Sequence, residues 1–498
     1  MNVLLIYPGF PDTYWSFRYA LSFQGKRAAQ PPLGLMTVAA LLPASWNKRL
    51  IDTNVERLRD RDLAWAGVAF IGGMHVQQPD LLSIVRRCRA RGLRTVVGGP
   101  IASSVPAQEL ECDHVVIGEA EDIIADLVRD LEAGTALPVY ESTERPDLDR
   151  TPPPDISLIR MRRYSTMTVQ YSRGCPFSCE FCDIIEIYGR RPRTKPVDHV
   201  LAELDQLFGA GWRGPVFIVD DNFIGNKPRA RALLDALVLW QQAHGRPFRF
   251  ITEASINLSD DPDLLRQFQQ AGFGSVFLGI ETPDESSLAA ANKLQNTRRD
   301  LLASIARIQH AGIEVMGGFI LGFDTDRDDI FDRLVDFIQT SGIPVAMVGL
   351  LQALPGTQLF RRLSGEGRIL SAGAGNNTGC HLNFRPRMNP ERLVEGYRSV
   401  LRRIYSSDCY YQRVRHYLRT CRPRYRASFS LANVRALFLS VLRQGILHRS
   451  RVSYWKFIVT AAIRHPREFG AAMTMAVMGY HFQTMTDRLL AGKTASQA

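Results

Sequence analysis

The sequence predicts an α/β protein in three parts. Residues 1–135 form a doubly wound, Rossmann-like domain, residues 166–365 a partial (β/α)6 barrel, and residues 366–498 a helical region. Three observations predict this. Short apolar runs alternate with helical stretches from the start of the chain, and the alternation resumes after a proline-rich, charged linker (136–165). Beyond residue 370 it gives way to helical, arginine-rich sequence.

In the first part, "VLLIY" (3–7), "RLIDTN" (49–54), "AGVAFIGG" (66–73), "RTVVGGP" (94–100) and "HVVIGEAE" (114–121) read as strands. "PPLGLMTVAALL" (31–42) reads as a helix entered through prolines, and 78–92 as another. In a doubly wound sheet ligands bind beyond the carboxyl ends of strands. There the chain places "YPGFP", "GGMHVQ", "GGP" and "GEAE". No G-x-G-x-x-G follows the first strand, which argues against a dinucleotide site.

In the second part, the residues after 166 and the runs 215–223, 248–255, 274–282, 314–323 and 345–357 read as six strands. Helices such as 197–211 and 299–312 separate them. Six parallel strands make an incomplete barrel, whose active site belongs at the C-terminal strand ends.

Composition is that of a globular protein, with 45% hydrophobic and 22% charged residues in 498. "MNVLLIYPGF" carries no basic lead, so a cytoplasmic protein is expected. The eight cysteines suggest no disulfide framework, since only three cluster. Net charge is +11, with arginines mixed among apolar residues at 412–426 and 443–456. That mixture suggests peripheral contact with a membrane surface, at the inner membrane, and no nucleic acid is expected. "FGAAMTMAVMGYHF" (469–482) is too short for a membrane span and reads as a buried or an interfacial helix.

Cys175, Cys179 and Cys182 stand in "RGCPFSCEFC", a Cys-x3-Cys-x2-Cys loop just after a strand. Thiolates suit zinc or iron–sulfur centres, and a structural zinc site needs a fourth protein ligand that the loop lacks. Three thiolates on a [4Fe–4S] cluster leave one iron open.

This motif, with Phe181 before the third cysteine, resembles the radical S-adenosylmethionine superfamily. The resemblance implies that the three cysteines ligate the cluster and that S-adenosylmethionine chelates the open iron. It implies an S-adenosylmethionine site from Phe181, Asp221, Asn222, Glu253, Ser255, Glu281, Thr282, Gly318 and Gly322. In it Phe181 covers the adenine, Glu253 and Glu281 accept from the amine or ribose, and "GGFILGF" passes the adenine. A doubly wound domain ahead of such a barrel resembles the cobalamin-binding domain of cobalamin-dependent radical methylases. The Asp-x-His-x-x-Gly motif of many cobalamin proteins is absent, and His75 reads as a loop histidine. Cobalamin is then expected, without a histidine ligand, at Tyr7, Pro8, Gly72, Gly73, Met74, Gly98, Gly99, Gly118 and Glu119.

Over nearly the whole chain, "MNVLLIYPGFPDTYWSF", "FIVDDNFIGN", "GIETPDE" and "QALPGTQLF" resemble the cobalamin-binding radical S-adenosylmethionine methyltransferase family, in the branch of the hopanoid C-2 methylase. The resemblance implies methylation of an unactivated carbon of a lipid-like substrate, with an electron donor such as flavodoxin or ferredoxin. A small natural-product or tetrapyrrole substrate, and radical chemistry without net methyl transfer, stay open as alternatives. No side chain is singled out as acid or base.

Overall fold

The computed structural model describes residues 1–142, 144–373, 375–421 and 431–492. A six-stranded parallel sheet opens the chain. Its strands are β1 (Asn2–Tyr7), β2 (Asn47–Asp52), β3 (Val68–Gly72), β4 (Arg94–Gly98), β5 (His114–Ile117) and β6 (Val139–Glu141), in the order β2-β1-β3-β4-β5-β6. Valine, isoleucine and leucine fill both faces of β1, as a sheet covered by helices on two sides requires. The sheet reverses its winding between β1 and β3, so the loops after these strands flank a switch point. β6 comes from the proline-rich segment read as linker.

The second sheet holds six strands, all parallel: β7 (Met167–Val169), β10 (Pro215–Ile218), β11 (Arg249–Ala254), β12 (Phe273–Glu281), β13 (Glu314–Leu321) and β14 (Val345–Leu350). Between β7 and β10 a two-residue antiparallel ladder, β8 (Ser172–Arg173) with β9 (Arg193–Thr194), brackets the cysteine loop. Alternation along the barrel strands sorts the side chains. Val216, Phe250, Val276, Leu278 and Phe319 are buried in the core cluster with the helices. Phe217, Ile251, Phe277, Met316 and Ile320 point the other way and are half-buried, so the lumen has apolar walls, interrupted by Glu253, Ser275 and Glu314 on the same face.

The remaining helices include Pro390–Ile404, Ser407–Thr420, Leu431–Ser440, Arg451–Arg464 and Phe469–Leu490. Helix Phe469–Leu490 is a core helix, with Met475, Phe482, Met485 and other residues buried along its length. No described helix is long and apolar enough to cross a membrane. Within the basic stretch 412–426, Arg413, Val414, Tyr417 and Leu418 are buried against the barrel, so this part does not form the lipid-facing surface its composition suggested. Residues 422–426 lie outside the described residues.

The helical region also grips the first domain. Tyr14, in a turn between β1 and β2, bonds through its hydroxyl to Thr486 Oγ1 at 2.8 Å. His481 Nε2 donates to the Tyr14 carbonyl at 2.9 Å. Burial lowers His481 to about 4, which keeps the ring neutral in this contact.

Candidate functional site

The cysteine loop begins where backbone crowding demands glycine. Gly174 has φ +94°, and a Cβ there would lie 2.8 Å from the Gly189 carbonyl oxygen. That carbonyl accepts from Cys175 N at 3.2 Å, and Asp221 accepts from Gly174 N at 2.8 Å. The loop is thus pinned to the end of β10 and to the segment after the third cysteine.

None of the three clustered cysteines takes part in a disulfide. Asn222 Nδ2 approaches Cys175 Sγ at 3.8 Å, and Gln295 Nε2 approaches Cys179 Sγ at 3.7 Å. Burial opposes the charge on Lys293, but Glu281 and the thiols of Cys179 and Cys182 overcome it and hold the ammonium above its usual range. Among the described residues no three His, Cys, Asp or Glu side chains converge on a single-ion site. A cluster asks for something else, namely thiolates bound to separate irons, with amide donors and a cation to offset their charge. The residues present fit that group.

Around the thiols the strand ends bring most of the expected residues together. Asn222 also accepts from Ser255 N at 3.3 Å and from Ser255 Oγ at 3.4 Å. Glu253 carries no hydrogen bond on its carboxylate; burial and the nearby Asp221 and Asp220 push it up to about 8. Burial likewise raises Asp221 to about 6 and Asp220 to about 7. Asp220, bonded to Tyr171 N and Ser172 Oγ, holds the start of the loop. An unpartnered carboxylate in an acidic recess fits a cationic or hydroxyl-bearing ligand.

Glu281 differs from Glu253. Its carboxylate pairs with Lys293 Nζ at 2.7 Å, and its φ is +66°, a left-handed backbone at the irregular end of β12. Thr282 is buried and its hydroxyl accepts from Asp284 N at 3.2 Å, closing the turn that follows. Phe181 meets Phe323 edge-on at 6.1 Å, with Lys293 Nζ 6.0 Å from its ring. At Gly318 a Cβ would press to 2.9 Å from Phe277, and Gly322, φ +107°, donates its N–H to Asp326.

On the facing domain, the Pro8 carbonyl accepts from Gln77 and Asn54, and Gly9 N donates to Asp80, so the loop after β1 is fixed in place. Tyr7 meets Phe10 edge-on at 5.7 Å. Gly72, Gly73, Gly98, Gly99 and Gly118 line the same sheet edge, and Gly99 backs onto the Gly73 backbone. Phe10, Trp15 and Met74 leave large apolar area exposed at this edge, at 38%, 42% and 49%. Glycine-thinned loops rimmed by apolar side chains fit a broad, flat ligand such as cobalamin. His75 opens a short helical turn, His75–Gln77, and is buried with Nδ1 unpartnered.

Glu119 has another occupation. Both its oxygens are taken by arginines of the β8–β9 ladder, Arg173 and Arg193, each at 2.5 Å. Its carboxylate ties the two domains together. Sequence reasoning missed Lys293, Gln295, Arg173 and Trp15. Trp15 crosses from the first domain to stand 5.3 Å from Phe277 of the barrel lumen.

Beside the cysteine loop runs a groove of roughly 790 Å³, whose lining includes Arg145, Arg190, Arg191 and Arg229 together with Asp147 and Asp149. Arg190 and Arg191 are exposed.

The chain was compared with known families, proteins and structures. A B12 binding domain matches residues 28–128, the radical SAM superfamily residues 169–338, and a domain of unknown function residues 357–495. An uncharacterized methyltransferase of Synechocystis sp. is 41% identical over 97% of this chain and 91% of its own. The hopanoid C-2 methylase of Rhodopseudomonas palustris is 34% identical over 93% of this chain and 90% of its own. The solved structure of the cobalamin-dependent S-adenosylmethionine radical enzyme OxsB, with aqua-cobalamin and S-adenosylmethionine bound, shares the fold. Its TM-score is 0.62 at 15% identity, covering 99% of this chain and 80% of that one. The radical S-adenosylmethionine methyltransferase TsrM of Kitasatospora setae does so with a TM-score of 0.59 at 16% identity, over 73% and 76%.

Proposed function

The chain belongs to the cobalamin-dependent radical S-adenosylmethionine methyltransferase family, and from that premise we propose that it methylates an unactivated carbon of a hopanoid at C-2. When bound, the [4Fe–4S] cluster, S-adenosylmethionine and cobalamin supply hydrogen abstraction and a transferable methyl group; the protein supplies placement, charge and exclusion of water.

Cys175, Cys179 and Cys182 would hold the cluster, with Asn222 and Gln295 leaning on two of the sulfurs. Glu253 would take the methionyl ammonium or a ribose hydroxyl, being the carboxylate without a partner. Glu281, neutralised by Lys293, would instead shape the end of β12. Phe181, Asp221, Asn222, Ser255, Thr282, Gly318 and Gly322 would complete that site. Tyr7, Pro8, Gly72, Gly73, Met74, Gly98, Gly99 and Gly118 would cradle cobalamin, while Glu119 keeps its domain in register with the barrel.

The observation that carries the substrate is the apolar mouth where the two domains meet. Trp15 leans on Phe277, and Phe217, Ile251, Met316 and Ile320 continue the apolar wall into the lumen. A fused hydrocarbon skeleton suits such walls, and a charged or heavily hydroxylated substrate would find few partners on them. The likeness to the Rhodopseudomonas palustris hopanoid C-2 methylase over 93% of this chain and 90% of that one supports the same reading. The electron donor would dock at the arginine groove beside the cysteine loop, as an acidic protein such as flavodoxin or ferredoxin.

The test is expression, under anaerobic conditions with cobalamin, in a host that makes unmethylated hopanoids. Lipid mass spectrometry is expected to show hopanoids heavier by one CH₂, labelled when the methionine methyl is labelled. Unchanged hopanoids, from protein that still cleaves S-adenosylmethionine, would overturn the substrate.

A further inference from the structure

Half of the large apolar side chains that the structure leaves exposed lie in one short stretch. Of eighteen among the described residues, nine fall between Val434 and Ile463. They sit on three consecutive elements: helix Leu431–Ser440, the π-helical turn Val441–Leu447 and helix Arg451–Arg464. Val434, Leu437 and Phe438 are spaced three and four apart, as are Val452, Trp455, Val459 and Ile463, so each set shares one helix face. Ile446 and Leu447 cap the turn between them, exposed to 57% and 72%. The opposite face is anchored: Tyr454, Phe457 and Ala461 are buried in the core.

Charge on this stretch has one sign. From Leu431 to Arg467 there is no aspartate or glutamate. Arg435, Arg449, Arg451, Lys456, Arg464 and Arg467 are exposed among the apolar residues. Of these, among the described residues, only Arg449 is paired with an acidic side chain, Asp487. Trp455 keeps its indole N–H on the Gly445 carbonyl at 3.0 Å while its ring stays 41% exposed, the amphipathic placement that tryptophan takes at a headgroup boundary. Apolar side chains alone would suit a protein partner as well. Apolar side chains set among cations, with acidic side chains reaching the stretch only at Asp487 on Arg449 and Asp408 on Ser453, match a layer that is apolar beneath and negative on top.

We propose that the hairpin of helices Leu431–Ser440 and Arg451–Arg464 docks flat on an anionic phospholipid surface, sinking Phe438, Leu447, Val452 and Ile463 to the acyl boundary while Arg451, Lys456 and Arg464 meet the headgroups. For its purpose this rests on the lipid-substrate reading above, since a hopanoid would be met in such a membrane; for its geometry it does not. Docking lays the protein on the surface without crossing it, and among the described residues no helix is both long and apolar enough to span a membrane.

The test is flotation of the full-length holoenzyme with vesicles of phosphatidylcholine, with and without 30% phosphatidylglycerol. Binding is expected only with the anionic lipid and is expected to weaken at high salt. The variant L447S/V452S/I463S, with unchanged iron content and circular dichroism, is expected to lose at least tenfold in partitioning. Trp455 fluorescence is expected to be quenched by lipids brominated on the acyl chain, and W455F to lose that quenching. Equal flotation of parent and variant would overturn the proposal. So would binding that ignores lipid charge, or a dimer in solution that the variant breaks. Flotation is read without substrate, so its failure stands apart from failure of the hopanoid assignment.

Discussion

Arg173 reaches out of the cysteine loop to Glu121 of the other domain, Nη2 to Oε1 at 2.8 Å, while its Nη1 holds Glu119. Both carboxylates are nearly inaccessible, with 3% and 4% of their side chains exposed. The residue two positions before Cys175 is therefore also the tie that sets the first domain over the barrel. A buried pair broken on one side costs about 3–5 kcal/mol, because the remaining charges stay buried. Arg173→Met is expected to destabilise the protein by about that much, read from denaturant unfolding. It is also expected to lower methylated product per 5′-deoxyadenosine formed, because in the proposed reading S-adenosylmethionine would sit on the barrel and cobalamin on the first domain. An unchanged ratio in a destabilised variant would confine the tie to folding.

The amides on the thiols predict a shift in potential. An N–H dipole aimed at sulfur favours the more negative, reduced cluster. Gln295→Leu and Asn222→Leu are expected to move the cluster to a more negative potential. Electron paramagnetic resonance during a redox titration, on samples of equal iron content, checks this. Equal potentials would show that the 3.7 and 3.8 Å contacts carry no electrostatic weight.

How much of this was legible beforehand depended on the range of the signal. Cys175, Cys179 and Cys182 declare themselves by local spacing, and eleven of the twelve parallel strands of the two sheets by local alternation; the short edge strand β6 hides in a proline-rich segment that reads as linker. Glu253 and Glu281 sit in similar strand-end motifs, yet only the fold pairs one with Lys293 and leaves the other bare. Glu119 reads as a loop residue at a ligand edge until the fold brings Arg173 and Arg193, 54 and 74 positions away, against it. Trp15 is one aromatic residue in an unpatterned segment; its meaning lies in Phe277, which the sequence gives no reason to place nearby. Arg413 belongs to a run that reads as surface and is fully buried, because composition cannot tell which face of a helix meets the barrel.

Glu253 predicts a pH dependence with a definite sign. Its folded pKa is raised to about 8, so between its ordinary value and about 8 the folded state binds more protons than the unfolded state. Stability then falls as pH rises through that window. Glu253→Gln removes the penalty, so the melting temperature of the variant minus that of the parent, without cofactors, is expected to grow from pH 5 to pH 8. A difference flat in pH would show the carboxylate to be solvated. The same variant is expected to bind S-adenosylmethionine about 10- to 100-fold more weakly, the weight of a hydrogen bond to a charged group.

Arg190 and Arg191 predict a dependence on the reductant. Electrostatic steering is worth tenfold or more in association rate and fades with salt. R190E/R191E is expected to slow cluster reduction by reduced flavodoxin about tenfold at low ionic strength. Reduction by dithionite, a small ion that needs no docking surface, is expected to change far less. Equal slowing by both reductants would place the damage in the cluster loop, 15 residues from Cys175 at Arg190.

Trp15 gives the sharpest test of the apolar mouth. Its turn is held by Tyr14, whose hydroxyl and carbonyl are fastened to Thr486 and His481, so the helical region fixes where the indole stands. A ring 42% exposed at a domain junction has about 100 Å² left to bury, worth about 2 kcal/mol against an apolar ligand, or roughly 30-fold in binding. Trp15→Ala is expected to raise the KM for the proposed lipid substrate by about that factor and leave S-adenosylmethionine affinity unchanged. Uncoupled 5′-deoxyadenosine is expected to increase, because a loosely held carbon misses the radical. Trp15→Phe, which keeps an apolar ring over Phe277, is expected to recover most of the loss. If alanine and phenylalanine fail equally, the indole acts through shape or its N–H, and the apolar-wall reading of this mouth falls.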